Sequence, residues 1–476
     1  MSGYSLEQFQ KDWVYACRED FKGSDGQPYT WAPGQPSQWG DESFKIPLPT
    51  KPADASLNAD GTLLAVALQH DIHIYTVNDF TLLQVLKGHV SRVDAVRFHP
   101  KEPRTLLSCS ENHWGGSVVA EAAIILWKLH EHRERILEVG AMLQALGKRA
   151  VEGVVAGLHD MESSWTLAGQ EKESLAEDFE KTITLLNLKS QVQDHMRIHG
   201  RLSTSYGSQV FNDKGTSLIF LPGERPRSNT VDKWDICVWN IERREISLTL
   251  EAHTDAIMWV GFSPDDKLIA SVSWDKTFRI WSHTDGSLLH TFKSDSQNFT
   301  GGFSPDSRFF AGTSGRGRFW VWDISDGSEI MTYAFEPQSP WSRTLDWSPS
   351  GKQLIIGGGG LGRLSLFDLE SRSEVQRRVL SPEKSAEEVR NFGESFMEVT
   401  IVRFFAGGRY ILSQTSSDRA IEVYDTVHNT KWRFAPPQGQ TMGWGSDFVV
   451  LAKQGLIASI DADAVRFWKG PFDQRE

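Results

Sequence analysis

Few residues in this chain could carry chemistry, and most stand in a context that limits what they can do. His253, Ser271, Ser273 and Asp275 lie close in sequence, with Trp281 just beyond. Serine, histidine and aspartate are the types that build a nucleophile–base–orienter relay. The same types can instead satisfy a buried indole N–H, with a hydroxyl and an imidazole passing the hydrogen bond on to a carboxylate. Arg225 and Arg227 lie in the loop Glu224-Arg225-Pro226-Arg227-Ser228-Asn229, and Arg316 and Arg318 flank Gly317. Guanidinium forks hold carboxylates or phosphates bidentately. His130 and His132 invite a metal, but no ligand cluster accompanies them. The run Gly357-Gly358-Gly359-Gly360-Leu361-Gly362 lies between strands and lacks the helix of a nucleotide fingerprint, so it reads as a hairpin turn. There is no GxxxxGK[ST] loop and no HExxH.

These residues sit in 476 residues with 50 Lys plus Arg against 62 Asp plus Glu, a net charge of −12. That balance argues against general nucleic-acid binding, which depends on cationic surface displacing counterions. With 39% apolar and 11% aromatic residues the chain can bury a sizeable core. Cys17, Cys109 and Cys237 form neither a disulfide framework nor a CxxC site, which fits a reducing compartment. The start MSGYSLEQFQKDW lacks a signal-peptide core, and no run of about 18 apolar residues predicts a membrane span. The expectation is a cytoplasmic or nuclear protein.

The elements that must position these side chains come from a repeat. Gly261-Phe262-Ser263-Pro264-Asp265 returns as Gly302-Phe303-Ser304-Pro305-Asp306 and, more loosely, as Asp346-Trp347-Ser348-Pro349-Ser350-Gly351. Weaker copies centre on Leu57, Phe98, Phe211, Phe405 and Leu451. In each, an apolar strand ends at a Pro, Asp or Gly turn and a second apolar run follows. A polar turn then leads to an alternating strand ending in an aromatic, as in Phe278-Arg279-Ile280-Trp281. Successive copies are 41 residues apart from Leu57 to Phe98 and from Phe262 to Phe303. The gap from Phe98 to Phe211 is 113 residues. Removing one unit of roughly 42 residues leaves an insertion of about 70.

The unit Ala252-His253 … Gly261-Phe262-Ser263-Pro264-Asp265 … Ser273-Trp274-Asp275-Lys276 … Ile280-Trp281 resembles a WD40 repeat. Lys87-Gly88-His89 and Val321-Trp322-Asp323 carry the family's GH and WD dipeptides. The resemblance runs from about residue 44 to 468 apart from the insertion. It implies an all-β WD40 β-propeller, and counting first strands gives eight blades. Seven blades plus an extra strand group is the alternative. The last unit has only three strands, and Phe44-Lys45-Ile46-Pro47-Leu48 is the candidate for its fourth. The expected organisation is an extension rich in aromatics, Gly and Pro (1–43), blades 1–2 (44–129), a helical insertion (130–195) and blades 3–8 (196–476).

The resemblance also implies that His253, Asp275, Trp281 and Ser271 or Ser273 form a structural hydrogen-bond set, which weighs against a catalytic triad. It places the turns carrying Trp274, Arg316 with Arg318, and Arg225 with Arg227 on one rim of consecutive blades. Those five are the partner-binding candidates, for a protein or acidic peptide. The insertion shows helical stripes at Ile136, Val139, Leu143 and Leu146 and at Leu175, Phe179, Ile183 and Leu186. It reads as a helical hairpin or as a second partner-binding element. The functional expectation is a non-enzymatic scaffold for protein–protein interaction, with no catalytic residues, cofactor, metal or membrane contact. Two alternatives are a ubiquitin-ligase substrate receptor and an enzyme using the propeller channel. Trp239-Asn240-Ile241-Glu242-Arg243 and Phe367-Asp368-Leu369-Glu370 miss the receptors' Trp-Asp-x-Arg signature, and no converging carboxylates or histidines suggest a channel enzyme.

Overall fold

Long apolar runs such as Leu63–Leu68 and Ile257–Phe262 are buried at every position. A strand buried on both faces has no reason to alternate, so these strands must lie between packed layers. Outer strands of the same sheets, such as Leu82–Lys87 and Leu288–Lys293, are mostly partly or fully exposed. The computed structural model describes residues 15–110, 122–129, 195–203, 208–223, 234–335, 342–358, 362–382, 398–415, 419–435, 448–461 and 463–472. Among these the architecture is all-β, broken only by single turns of 3-10 helix at Ala406–Gly408 and Ala452–Gln454.

The strands form seven sheets, mostly of antiparallel neighbours in sequence order. Four-stranded sheets run Pro52–Leu57 to Leu82–Lys87, Ile257–Phe262 to Leu288–Lys293 and Asn298–Phe303 to Glu329–Ala334. One sheet has seven strands and holds both the second and third sequence units. Its two halves join through only Gly200↔Pro222 and Arg201↔Leu221. Apolar clusters lie between successive units all the way round. One joins the last unit to the first through Val449, Leu451 and Phe467 against Leu64, Val66 and Tyr75. Another joins the last unit to the one before it through Trp468 and Phe448 against Tyr410 and Phe434. The layers therefore close into a ring, the β-propeller architecture.

Among the described residues the innermost strands Ala95–Phe98 and Val399–Phe405 pair with a strand on one side only, so their remaining N–H groups need other acceptors. Side chains of the preceding unit supply them. Asp54 accepts from Val96 N–H at 3.0 Å and Ser56 from Phe98 N–H at 3.1 Å. Thr344 accepts from Val402 N–H at 3.1 Å and Asp346 from Phe404 N–H at 2.6 Å. Close packing between units also fixes Gly312, where a Cβ would stand 2.3 Å from the Phe278 ring.

The described residues up to Pro47 lie along the outer edges of three sheets. Tyr15–Glu19 pairs antiparallel with Ser373–Pro382, while Thr30–Trp31 and Ser37–Gln38 pair parallel with Thr430–Ala435. Phe44–Pro47 pairs with Ala464–Lys469 and is the fourth strand of the last unit. Phe21 and Tyr29 are buried against Tyr424, with Phe21 edge-on to it at 4.9 Å. Residues 1–14, and the expected helical stripes of the insertion, lie outside the described residues. The outer strand of the second unit, His195–Arg201, starts where the insertion ends and pairs with Ala123–Lys128.

Candidate functional site

Four side chains of the fourth unit converge between its strands. Ser271 sits on Leu268–Ser273, Trp281 on Thr277–Ser282 and Asp275 in the turn between them, while His253 ends the preceding strand Glu245–His253. His253 Nδ1 is 2.7 Å from the Asp275 carboxylate, and Nε2 is 2.8 Å from Ser271 Oγ. The Trp281 indole N–H donates to Ser271 Oγ at 3.0 Å. Chemistry fixes the direction. A carboxylate only accepts, so Nδ1 carries the proton, Nε2 accepts from the hydroxyl, and the hydroxyl accepts from the indole. Burial pushes the His253 pKa below its ordinary value, which suits a neutral ring. Burial also pushes Asp275 up, but hydrogen bonds from His253 and Thr277 outweigh it and hold the carboxyl at about 2. Ser271 is the hydroxyl in this set. Ser273 ends that strand, accepting from Asp275 N–H at 3.1 Å and donating to Asp255 C=O at 3.0 Å.

Two further copies escaped sequence reasoning. In the second unit His89 Nε2 and the Trp127 indole N–H both lie 2.7 Å from Ser108 Oγ. The Gly88-His89 dipeptide was the available signal. In the last unit the Trp468 indole donates to Ser459 at 3.2 Å, and Ser459 donates to Asp461 at 3.0 Å. That copy has no histidine, which is why it left no recognisable spacing. Both serines of the copies with histidine are fully buried, as is Trp127, so a substrate has no approach to them. Among the described residues no three His, Cys, Asp or Glu side chains gather as a metal-binding group.

The rim candidates differ in setting. In each four-stranded unit the first strand starts at the end where the second stops and the third begins. Trp274, Arg316 and Arg318 therefore share one end of neighbouring sheets with the loops that enter the first strands. Trp274 is half-buried rather than solvent-facing, because Phe299 of the next unit covers it edge-on at 6.2 Å. Phe299 in turn carries the Arg343 guanidinium 5.5 Å from its ring centre. Arg316 is exposed. Arg318 lies 4.0 Å from Asp295, both substantially exposed. Arg225 and Arg227 lie outside the described residues. Sequence reasoning passed over Arg343 and its partner Glu398, a pair at 3.2 Å in which burial raises the Glu398 carboxyl to about 7.

A closed ring of small antiparallel sheets, tied inside by His–Ser–Trp bonding, defines a β-propeller of repeated blades. The family model described as WD domain, G-beta repeat matches residues 80–117 and 244–282. The chain thus carries WD40 repeats at these two places, on an all-β fold of small antiparallel sheets. It is 37% identical over 60 residues to Periodic tryptophan protein 2 of Saccharomyces cerevisiae, covering 13% of this chain and 6% of that one. It is 31% identical over 107 residues to a p21-activated protein kinase-interacting protein 1-like protein of Xenopus laevis, 22% of this chain and 26% of that one. An uncharacterized WD repeat-containing protein of Synechocystis is 50% identical over 44 residues, 9% of this chain and 13% of that one. The matched stretches are thus small parts of these relatives.

Proposed function

We propose that this protein is a non-enzymatic interaction scaffold of the cytoplasm or nucleus that binds a protein or acidic peptide at the turn end of its propeller. The observation that carries the reading is the position of the triad-like set His253, Ser271 and Asp275. The Ser271 hydroxyl is held between His253 and Trp281, inside a sheet where no substrate reaches it. The relatives are named as WD-repeat or kinase-interacting proteins, which favours binding over catalysis. Arg316 and Arg318 stand at the turn end of an acidic chain, where their charge would attract an acidic segment.

The test is Arg316→Ala with Arg318→Ala. Exposed substitutions usually change stability by less than about 0.5 kcal/mol, and the Arg318–Asp295 contact is too exposed to add much. Loss of a hot-spot side chain weakens binding by about 2 kcal/mol, roughly thirtyfold. The expected result is an unchanged melting temperature with partners lost from cell extract. An unchanged partner profile would move the binding surface away from this rim.

A further inference from the structure

In each unit a turn joins the first strand to the second, and these turns lie at the end opposite Trp274 and Arg316. Neighbouring turns touch along most of the circle. Asn58 Nδ2 donates to Pro103 C=O at 3.0 Å, and His99 Nε2 lies 2.7 Å from Gly215 C=O. Asp213 N–H donates to the Asp266 carboxylate at 2.7 Å, and Asp265 N–H to Ser307 Oγ at 3.0 Å. Pro305 and Pro349 cover Gly351 and Gly408, where a Cβ would stand 3.8 and 3.3 Å from their rings. Lys453 Nζ donates to Asp60 C=O at 2.5 Å and so joins the eighth unit to the first.

The step from the seventh unit to the eighth is open. A cavity of about 370 Å³ lies there, lined by Gly407 and Arg409 of one turn and Ala452 of the other. Phe405, Tyr410 and Phe472 form its aromatic walls. Phe472 meets Phe405 edge-on at 4.8 Å and Tyr410 edge-on at 5.2 Å. The Tyr410 hydroxyl donates to Pro471 C=O at 2.9 Å. The chain therefore seats one of its own aromatic side chains at this step, through ring edges and one bond to the backbone. Arg409 brings the one charge among the lining residues. Two of its N–H groups donate to Asp425 at 3.0 and 3.2 Å, and its guanidinium lies 4.8 Å from the Tyr410 ring centre. An anion entering here would meet Asp425, and a cation would meet Arg409. Ring walls and a paired, planar guanidinium favour a flat, uncharged guest. An apolar cavity of about 150 Å³ is enough to hold benzene, so this one admits a ring as large as indole.

We propose that this cavity receives one aromatic side chain of a partner protein, a neutral ring inserted beside Phe472 between the seventh and eighth units. The proposal rests on the scaffold reading and adds a second contact to it, at the other end of the propeller.

The test is ligand-observed NMR titration of the full chain with N-acetyltryptophanamide and, separately, with N-acetylleucinamide. The aromatic amide should bind at least about fivefold more tightly than the aliphatic one. Ala452 is half-buried at the cavity wall, so Ala452→Leu should fill the space and weaken the aromatic amide roughly tenfold at unchanged melting temperature. Leu288→Ala, which removes an exposed apolar side chain of another unit, should leave binding unchanged. Equal affinity for the two amides would overturn the aromatic assignment, whatever the variants do. Equal weakening by Ala452→Leu and Leu288→Ala, or none by Ala452→Leu, would overturn the site. No binding by the wild type would overturn the proposal in favour of residues 473–476, which follow Phe472, as the occupant. None of these results bears on Arg316 and Arg318, so a failure here and a failure of the scaffold reading stay distinguishable.

Discussion

Trp281 fills the space between the fourth unit and its neighbour and also donates the bond that orients Ser271. Trp281→Ala should therefore cost about 3–5 kcal/mol through the cavity and the hydroxyl left without its donor. Urea melts overlaying the wild type would refute this role. The buried histidines make stability depend on pH in a definite direction. Burial depresses His89 to about 4, against about 6.5 for an unfolded histidine. Between those values the unfolded chain binds more protons, so stability falls as pH drops from about 6.5 towards 4. Glu398, raised to about 7, works oppositely, since the folded state keeps its proton and loses stability as pH rises from about 4 to 7. His89→Gln should flatten the acid side of a melting-temperature profile, and Glu398→Gln the neutral side. An unaltered profile in either variant would contradict the assignment. The fourth-unit set could be read from sequence because His253, Ser271, Asp275 and Trp281 all keep the repeat's spacing. Arg343 and Glu398 could not, since 55 positions separate them and only ring packing brings them together.

At the scale of elements, the repeat could be read because each unit pairs an apolar run with Pro, Asp or Gly turns at a steady interval. The outer belt could not. Its strands Thr30–Trp31 and Ser37–Gln38 have two residues each, too short for any period. Only the aromatics hinted at it, and among the described residues Trp31, Trp39 and Phe21 each have a partner. Lys431 lies 4.5 Å over Trp31 and also pairs with Asp20, while the Arg466 guanidinium lies 4.5 Å over Trp39 and pairs with Glu42 at 2.6 Å. Phe21 is buried and touches both Tyr29 and Tyr424, so it fastens the belt to the blade beneath. Phe21→Ala should cost about 3–5 kcal/mol, the usual range for a buried phenylalanine. Limited proteolysis should then cleave first within residues 15–43. A variant as stable and as protected as the wild type would show that the belt contributes nothing to the fold.

At the scale of the whole molecule, ring closure sets what can be removed. Eight apolar clusters, each between two successive units, go once round the described residues. That arrangement favours the eight-unit reading over seven blades with an extra strand group. Each unit contributes to two clusters, so losing a unit should open the ring. An insertion between two paired strands is a different case. Trp127 pairs directly with His195, so the chain leaves and re-enters the second unit at neighbouring points of one hairpin. The ring asks only that those two points stay joined, and a short turn can join them. Insertions of this kind fall in the loops of repeat proteins. Deleting residues 135–190 and bridging the ends with a short Gly/Ser linker should leave a soluble chain with its β-type circular dichroism. Its melting temperature should fall by no more than a few degrees, the shift expected from about 1 kcal/mol or less. Aggregation, or collapse of the β signal, would mean that the inserted residues complete the core of the second unit. In that case the clusters counted between the described strands would not be the whole of what holds the ring.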